Sequence, residues 1–341
     1  MPTAYLPGGR FQKTAGVNMT TLVTGATGLV GNNAVRALID RGERVRVLVR
    51  KTSPKRPLDD LDLEIVYGDV RDRALVTQAV QGSDLVIHSA AYVHWGWSRI
   101  ETHREVNVTG TRNVCEAALT AGAKMVHVST KDTLGVGTRE RPADEDCQEG
   151  QVQSAYVVTK REAESVVQEY VGRGLFAPIV NPTTMLGPWD WKPSSGKILL
   201  AAATRFTPLV PSGGNNFCDV RDVVDGILAA AERGTSGRRY LLGGDNLTYL
   251  EAWNLFADVT GCRRPWMRMG PLMRITIGKV GDLWGTVTGQ EPDVNSAALK
   301  AASMPHCCTS ERAERELGYR HRPVREAVEA AWAWFQEYGY A

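Results

Sequence analysis

The stretch Thr24-Gly25-Ala26-Thr27-Gly28-Leu29-Val30-Gly31 follows a short apolar run, Leu22-Val23, and leads into an amphipathic segment that ends near Gly42. Apolar run, glycine turn and periodic segment read as strand, turn and helix. The glycines have separate jobs at such a junction. Gly25 allows the tight turn out of the strand, Gly28 lets a pyrophosphate approach the backbone, and Gly31 lets the new helix pack against the sheet. A diphosphate then meets unpaired N–H groups and the positive end of the helix dipole. Gly25 and Gly28 stand three apart, where the usual dinucleotide fingerprint has glycines two apart, and Thr24 precedes them. The expected cradle is therefore Gly25, Thr27, Gly28, Leu29, Val30 and Gly31.

Length and composition agree with a cofactor-binding globular protein. A chain of 341 residues buries a large core in one large or two modest domains. Its net charge of +2 argues against a nucleic-acid footprint. No apolar run reaches transmembrane length, and the first eighteen residues lack a signal-peptide core. Residues 1–19 are expected to form a disordered leader, or to reflect a start codon placed upstream of Met19. The six cysteines are scattered without a framework spacing and read as reduced thiols in the cytoplasm. His306-Cys307-Cys308 has no second cluster to complete a four-ligand zinc site, so no metal is expected.

Strands and helices alternate along the chain. Val30, Ala34 and Leu38 share one face of the first helix, and strands are expected at 45–49, 63–67, 85–88, 125–128, 176–180 and Arg239–Leu242. Helical patterns lie between them at Arg73–Val80 behind an Asp72 cap, at 101–121 and at 154–171. This order predicts an α/β fold with a doubly wound parallel sheet and ligands at the carboxyl ends of its strands.

The residues after the second strand choose the cofactor. A carboxylate there would accept hydrogen bonds from the adenosine ribose and repel a 2′-phosphate. The chain reads Val49-Arg50-Lys51-Thr52-Ser53, with no carboxylate until Asp59. Arg50 and Lys51 therefore favour NADP(H) over NAD(H), against the plainer reading of a basic surface turn. Asp69 and Val70 follow the third strand, where Asp69 either meets the adenine or serves as a turn residue.

Tyr156 and Lys160 are four apart in a helical pattern, so both project from one face. A free phenol is a poor acid-base group at neutral pH, and a nearby ammonium lowers its pKa toward the useful range. Such a pair passes a proton to or from a carbonyl or alcohol while a nicotinamide passes a hydride. The strand ending Val128-Ser129-Thr130 offers a hydroxyl to hold the same substrate oxygen, from either Ser129 or Thr130.

Several of these motifs together resemble the extended short-chain dehydrogenases/reductases. They are the glycine turn, the alanine pair of His88-Ser89-Ala90-Ala91, Asn107-Val108-Thr109-Gly110-Thr111, and the Thr130, Tyr156, Lys160 set. The likeness covers nearly the whole chain. Val49-Arg50, Gly187-Pro188-Trp189-Asp190 and Glu316-Leu317-Gly318-Tyr319 are most similar to dihydroflavonol 4-reductase-like proteins, and the hopanoid-associated sugar epimerases are similar too. The resemblance implies a Rossmann-type sheet with a smaller mixed α/β C-terminal substrate region. It aligns Thr130, rather than Ser129, with the catalytic hydroxyl and makes Tyr156 the proton donor. Lys160 then binds the nicotinamide ribose and tunes Tyr156, Ala90 and Ala91 line the cofactor channel, and Asn107 ties neighbouring loops. Asn181, Pro182 and Thr183 belong to the segment that closes over the nicotinamide, and residues 217–223 to a later return to the sheet. The two long helices after the fourth and fifth strands imply a homodimer. Lys131-Asp132 departs from the small residues usual in the family, and narrows or charges the substrate entrance.

Residues 20–182 and 213–245 are thus expected to bind the dinucleotide, and 183–212 with 246–341 the substrate. Candidate substrate contacts are Tyr92, His94, Trp95, Thr130, Lys131 and Thr184. In residues 270–299 an apolar pattern with Met273 and Trp284 either walls an apolar pocket or packs between domains. Trp332 and Phe335 read as core positions of a terminal helix. The expected activity is NADP(H)-dependent reduction of a ketone or oxidation of a secondary alcohol. The alternatives are a nucleotide-sugar epimerase or dehydratase that retains NAD, and a dinucleotide sensor without turnover.

Overall fold

In β1 (Thr20–Thr24) Leu22 and Val23 are both buried, one in each of two cores on opposite faces of a central sheet. A strand covered on both faces is apolar throughout instead of alternating. The computed structural model describes residues 19–94, 96, 99–147, 153–288, 292 and 294–341. The leader before Met19, and with it the expectation of disorder there, and Trp95 lie outside the described residues.

The first half of the chain alternates as expected. It comprises α1 (Leu29–Asp40), β2 (Arg44–Val49), β3 (Glu64–Tyr67), α2 (Arg73–Val80) and β4 (Leu85–His88). There follow α3 (Ile100–His103), α4 (Gly110–Ala121), β5 (Lys124–Val128), α5 (Ala155–Val171) and β6 (Ile179–Pro182). Asp72 caps α2, its carboxylate accepting from the N–H groups of Ala74 and Leu75. Between α3 and α4, Arg104–Thr109 adopts wider π-helical turns, so the expected single helix carries an internal bulge.

The second half runs β7 (Thr184–Leu186), α6 (Gly196–Thr204), β8 (Leu209–Val210), β9 (Gly214–Asp219), α7 (Val220–Arg233), β10 (Arg239–Leu242), β11 (Asp245–Thr248) and α8 (Tyr249–Thr260). It closes with β12 (Met267–Arg268), α9 (Pro271–Thr288), α10 (Ser296–Ala301), α11 (Glu311–Leu317) and α12 (Val324–Glu337).

Seven parallel strands form the main sheet in the order β10-β6-β5-β4-β1-β2-β3. The strand order reverses between β1 and β4, and the crevice at their carboxyl ends is where such sheets take ligands. Side chains of α1, α7 and α11 fill one face, among them Leu38, Ile227 and Leu317. Val80, Val114 and Val167 of α2, α4 and α5 fill the other.

β6 starts later than the sequence suggests. The carbonyls of Phe176 and Pro178 already accept from Met125 and His127, and that of Ala177 from Gly237, but Pro178 has no N–H to offer β5, and the regular pairing begins at Ile179. The expected return of residues 217–223 to the main sheet is also corrected. β10 already occupies the edge beside β6, so β9 pairs with β7 and β11 in a separate three-stranded sheet, and α7 makes the return. That small sheet, α6, α8 and α12 enclose a third core in which Phe335 is buried and Trp332 packs at the edge.

In the 270–299 stretch Met273 and Trp284, 41% and 65% exposed, neither wall a pocket nor pack between domains. α9 packs on the Val294–Ser296 turn and α10 through Gly278 and Gly281, and its large apolar side chains point outward, with Leu272 82% and Trp284 65% exposed. No helix among the described residues is long and apolar enough to cross a membrane. All six cysteines are free thiols.

Candidate active site

The turn after β1 separates the roles of its glycines. Gly25 has φ +78°, and a Cβ there would lie 2.7 Å from the Ala90 nitrogen. A Cβ on Gly31 would fall 2.2 Å from the Gly25 carbonyl oxygen. Both are therefore bound by close packing. Gly28 caps α1 in ordinary extended geometry, is exposed, and would place its Cβ no nearer than 3.4 Å to Gly25 O. With no side chain in front of the first N–H groups of α1, the turn leaves the open approach that a pyrophosphate requires. Thr27 and Val30 are half-buried at its rim, while Leu29 is buried in the helix.

A hydrogen-bonded chain of buried side chains supports this turn. The Ala90 N–H donates to Thr24 Oγ1, and Thr24 Oγ1 lies 2.8 Å from His88 Nδ1. His88 Nε2 stands 3.0 Å from Thr111 Oγ1, whose hydroxyl donates to the Asn107 carbonyl. Thr111 can then only accept from the ring, which puts the imidazole proton on Nε2 and makes Nδ1 the acceptor of the Thr24 hydroxyl. Burial, and secondarily the Lys160 charge, push His88 down to about 3, so it is neutral.

At the β2 end Arg50 and Lys51 are exposed. Asp69 lies across from them. The Arg71 guanidinium, bonded to both its oxygens, holds it below the usual carboxylate range, and Arg50 adds to this. Both oxygens of Asp69 are thus paired with Arg71 at this turn. Val70 is buried against Gly110, and its carbonyl accepts from Asn113.

Tyr156 and Lys160 occupy the first turns of α5, which Ser154 caps through Val157 N–H. The Thr130 hydroxyl hydrogen-bonds the Tyr156 phenol. The neighbouring hydroxyl, on Ser129, is spent on Glu164, while Thr130 Oγ1 also donates to Asp132 Oδ2 at 3.3 Å and accepts from the Asp132 N–H. One expectation is corrected here. Lys160 Nζ points to β5, 2.8 Å from Val128 O and 3.3 Å from His127 Nε2, and the phenol is raised instead of lowered. Burial, then the Asp132 carboxylate, raise the Tyr156 pKa, and the Thr130 bond opposes them only in part. Lys160, 2% exposed, is pushed down by burial to about 8, with Glu164 pulling it back. Burial, Lys160 and His88 likewise drive His127 well below its ordinary value.

Lys131 is placed as part of a buried cluster and not as an open entrance residue. Its Nζ lies 2.8 Å from Asp132 Oδ1 and 3.4 Å from His306 Nδ1. His306 Nε2 faces the Ala301 carbonyl at 2.9 Å, which makes Nδ1 the acceptor for Lys131. Burial disfavours the Lys131 ammonium, but Asp132 outweighs it and raises the pKa. Burial likewise works against the Asp132 carboxylate, and Lys131 and His306 overcome it, leaving Asp132 below its usual range. Tyr249 of α8 adjoins the same cluster, bonded to Asn215. Cys307 and Cys308, beside His306, form β-bridges to Gly137 and Ala143.

The remaining candidates frame the site. Asn107 ties the loop after β4, its Oδ1 accepting from Tyr92 N and its Nδ2 donating to Tyr92 O and Thr159 Oγ1. Ala90, Ala91, Tyr92 and His94 are half-buried along that loop, and the Tyr92 ring meets His103 edge-on. Asn181 stands behind the site. It is fully buried, and its Nδ2 is used on Thr130 O, Thr133 and Glu164. Pro182 ends β6 in the core, Thr183 donates to Cys218 Sγ, and Thr184 is half-buried at the start of β7.

Residues 21–243 match the family model for the NAD dependent epimerase/dehydratase family. The chain belongs to that family. Over 330 residues it is 35% identical to sterol demethylase protein B of Methylococcus capsulatus, covering 94% of this chain and 99% of that one. It is also 35% identical over 327 residues to a Synechocystis protein provisionally named dihydroflavonol 4-reductase, covering 93% and 95%. Among solved structures, gox2253 superposes with a TM-score of 0.83 at 35% identity, covering 95% of this chain and 99% of that one. The protein is an NAD(P)-dependent oxidoreductase of the extended short-chain dehydrogenase/reductase type.

In this family member, sequence reasoning missed Glu164, Arg239, His306 and Tyr249. Glu164 was within reach, since it stands one helical turn past Lys160 on the same face. It is 1% exposed, accepts from Ser129, Thr133 and Asn181, and pairs with Arg239 at 2.8 Å. Arg239, His306 and Tyr249 arrive from distant segments without a local signal.

Proposed function

We propose that this enzyme reduces a ketone to a secondary alcohol with NADPH, and oxidises the alcohol in reverse. The observation that carries the reading is the meeting of the Thr130 hydroxyl and the Tyr156 phenol where β5 ends, beside the β1–β4 crevice. A phenol whose pKa is raised keeps its proton at neutral pH, the state required of an acid that serves a carbonyl oxygen. Thr130 hydrogen-bonds the same oxygen and holds it against Tyr156. As Tyr156 gives up its proton, the buried Lys160 ammonium one turn away favours the phenolate that remains. Asp132 opposes that charge and so favours reprotonation. Asn107 and Thr159 hold the first turn of α5 against the Tyr92 loop. The bound dinucleotide would supply the hydride, with the glycine turn holding its pyrophosphate and Arg50 and Lys51 its 2′-phosphate.

Two measurements test the reading. Denaturing freshly purified protein and identifying the dinucleotide it releases separates two outcomes. NADP(H), or an empty site that prefers NADPH to NADH, supports the reductase. Near-stoichiometric NAD or NADH instead supports an epimerase that regenerates its cofactor in place. Replacing Tyr156 by Phe is expected to lower ketone turnover by roughly 10²- to 10⁴-fold, the usual share of a general acid. Full turnover in that variant would remove Tyr156 from the chemistry.

A further inference from the structure

α9 is built inside out. At 100° per residue, Leu272, Met273, Val280, Leu283, Trp284 and Val287 fall within an arc of about 120°. In an ordinary surface helix such a stripe faces the core. Here the opposite side packs inward through glycines, with Gly278 against Ser296 and Gly281 against the Val294 carbonyl. Gly278 is the only buried residue among the eighteen of the helix. The apolar stripe faces out, Leu272 82%, Val287 76% and Trp284 65% exposed. The segment leading into the helix extends the pattern, since Trp266 and Met267 are exposed and Trp266 stacks edge-on against Phe206.

Charge indicates what covers this face. Residues 262–288 hold Arg263, Arg264, Arg268, Arg274 and Lys279 against one carboxylate, Asp282, which is turned inward to the Ser296 N–H; Arg264 is paired outside the stretch with Asp258 at 2.6 Å. That stretch therefore carries +4 in a chain whose total is +2, leaving −2 for everything else. A wide apolar stripe with Trp and Leu, flanked by cations, on a helix unable to span a bilayer matches a helix that lies in the plane of an anionic membrane surface.

We infer that α9 and the Trp266 turn dock this enzyme onto anionic lipid bilayers. The stripe enters the headgroup boundary, where Trp is favoured, and the exposed Arg263, Arg268 and Lys279 meet lipid phosphates. The inference stands apart from the ketone-reductase reading, because lipid binding is measured without turnover.

The test is sedimentation of the full chain with vesicles of phosphatidylcholine containing about 30% phosphatidylglycerol, beside pure phosphatidylcholine vesicles. The full chain is expected to sediment with the anionic vesicles and to be released by salt. The Leu283→Ser/Trp284→Ser variant should bind at least tenfold more weakly, and Lys279→Glu should weaken binding to anionic vesicles selectively. These side chains are exposed, so the urea midpoints of the variants should match the parent. A full chain that stays in the supernatant at every lipid concentration overturns the inference, as does a double variant that binds like the parent. Sedimentation velocity supplies a further outcome. A dimer that the double variant dissolves, with no vesicle binding by the parent, would assign the face to a second copy of the chain and overturn the lipid reading.

Discussion

Gly28 and Gly31 lie three residues apart in one turn, and their replacement by alanine should fail in opposite ways. At Gly28 the backbone has φ −92° and ψ 169°, a conformation open to any residue, and the new methyl would meet Gly25 O at 3.4 Å, ordinary contact. Alanine is a poorer helix cap than glycine, so Gly28→Ala should cost about 0.5–1 kcal/mol of stability. The methyl would, however, stand in front of the helix N–H groups that a pyrophosphate approaches. Loss of one charge-assisted hydrogen bond, about 1.5–3 kcal/mol, raises Kd roughly ten- to hundredfold. At Gly31 the methyl would lie 2.2 Å from a backbone oxygen and 2.6 Å from its carbon, which no side-chain motion relieves. Shifting α1 off β1 should cost about 3 kcal/mol, offset by about 1 kcal/mol from the better helix propensity of alanine. Urea unfolding without cofactor and NADPH titration of each variant separate the two effects. If Gly28→Ala binds NADPH within about twofold of the parent, the close-approach argument is wrong. If Gly31→Ala unfolds with the parent, the packing argument is wrong.

Replacing Arg50 by Ala should weaken NADPH about tenfold, through one lost charge-assisted contact to the 2′-phosphate, and leave NADH unchanged. An unaltered NADPH to NADH ratio in paired titrations would reject that assignment. Lys160 sits near 8 in the free protein because burial lowers it from 10.5, so its cation is present below that pH and lost above. A plot of kcat/KM, which reports free-enzyme groups, should therefore be flat below about pH 8 and fall beyond it. A limb near the ordinary lysine value would mean that the buried ammonium is not required. Glu164→Ala should cost on the order of 3–5 kcal/mol, since Ser129, Thr133 and Asn181 lose their acceptor and Arg239 its partner. Glu164→Gln, which keeps an acceptor oxygen, should recover part of it. Equal urea midpoints for the parent and Glu164→Ala would contradict the burial argument.

The main strands, the glycine turn and the Tyr156–Lys160 spacing were legible from the sequence because each rests on short-range rules. A strand buried on both faces is a continuous apolar run, a helix repeats every 3.6 residues, and a tight turn beside a sheet admits only glycine. Such rules operate within about ten residues, and the alternation of strand and helix they give, with the handedness of the crossovers, implies a doubly wound parallel sheet. What the side chains then do depends on partners that the local pattern does not name. Ser129 and Thr130 are equivalent as strand-end hydroxyls until Glu164 takes the first and Tyr156 the second. Lys160 is one turn from Tyr156, yet its ammonium turns to the Val128 carbonyl, and the phenol is raised by burial and then by Asp132. Lys131 meets His306 across 175 residues of chain. α9 carries the apolar stripe of a core helix, and only the packing of its glycines against the Val294–Ser296 turn and α10 decides that the stripe faces out. Local sequence thus determined which elements form and which residues stand at their ends. Tertiary structure decided which groups are buried together, and the charge state of a side chain depends on that burial and on its neighbours.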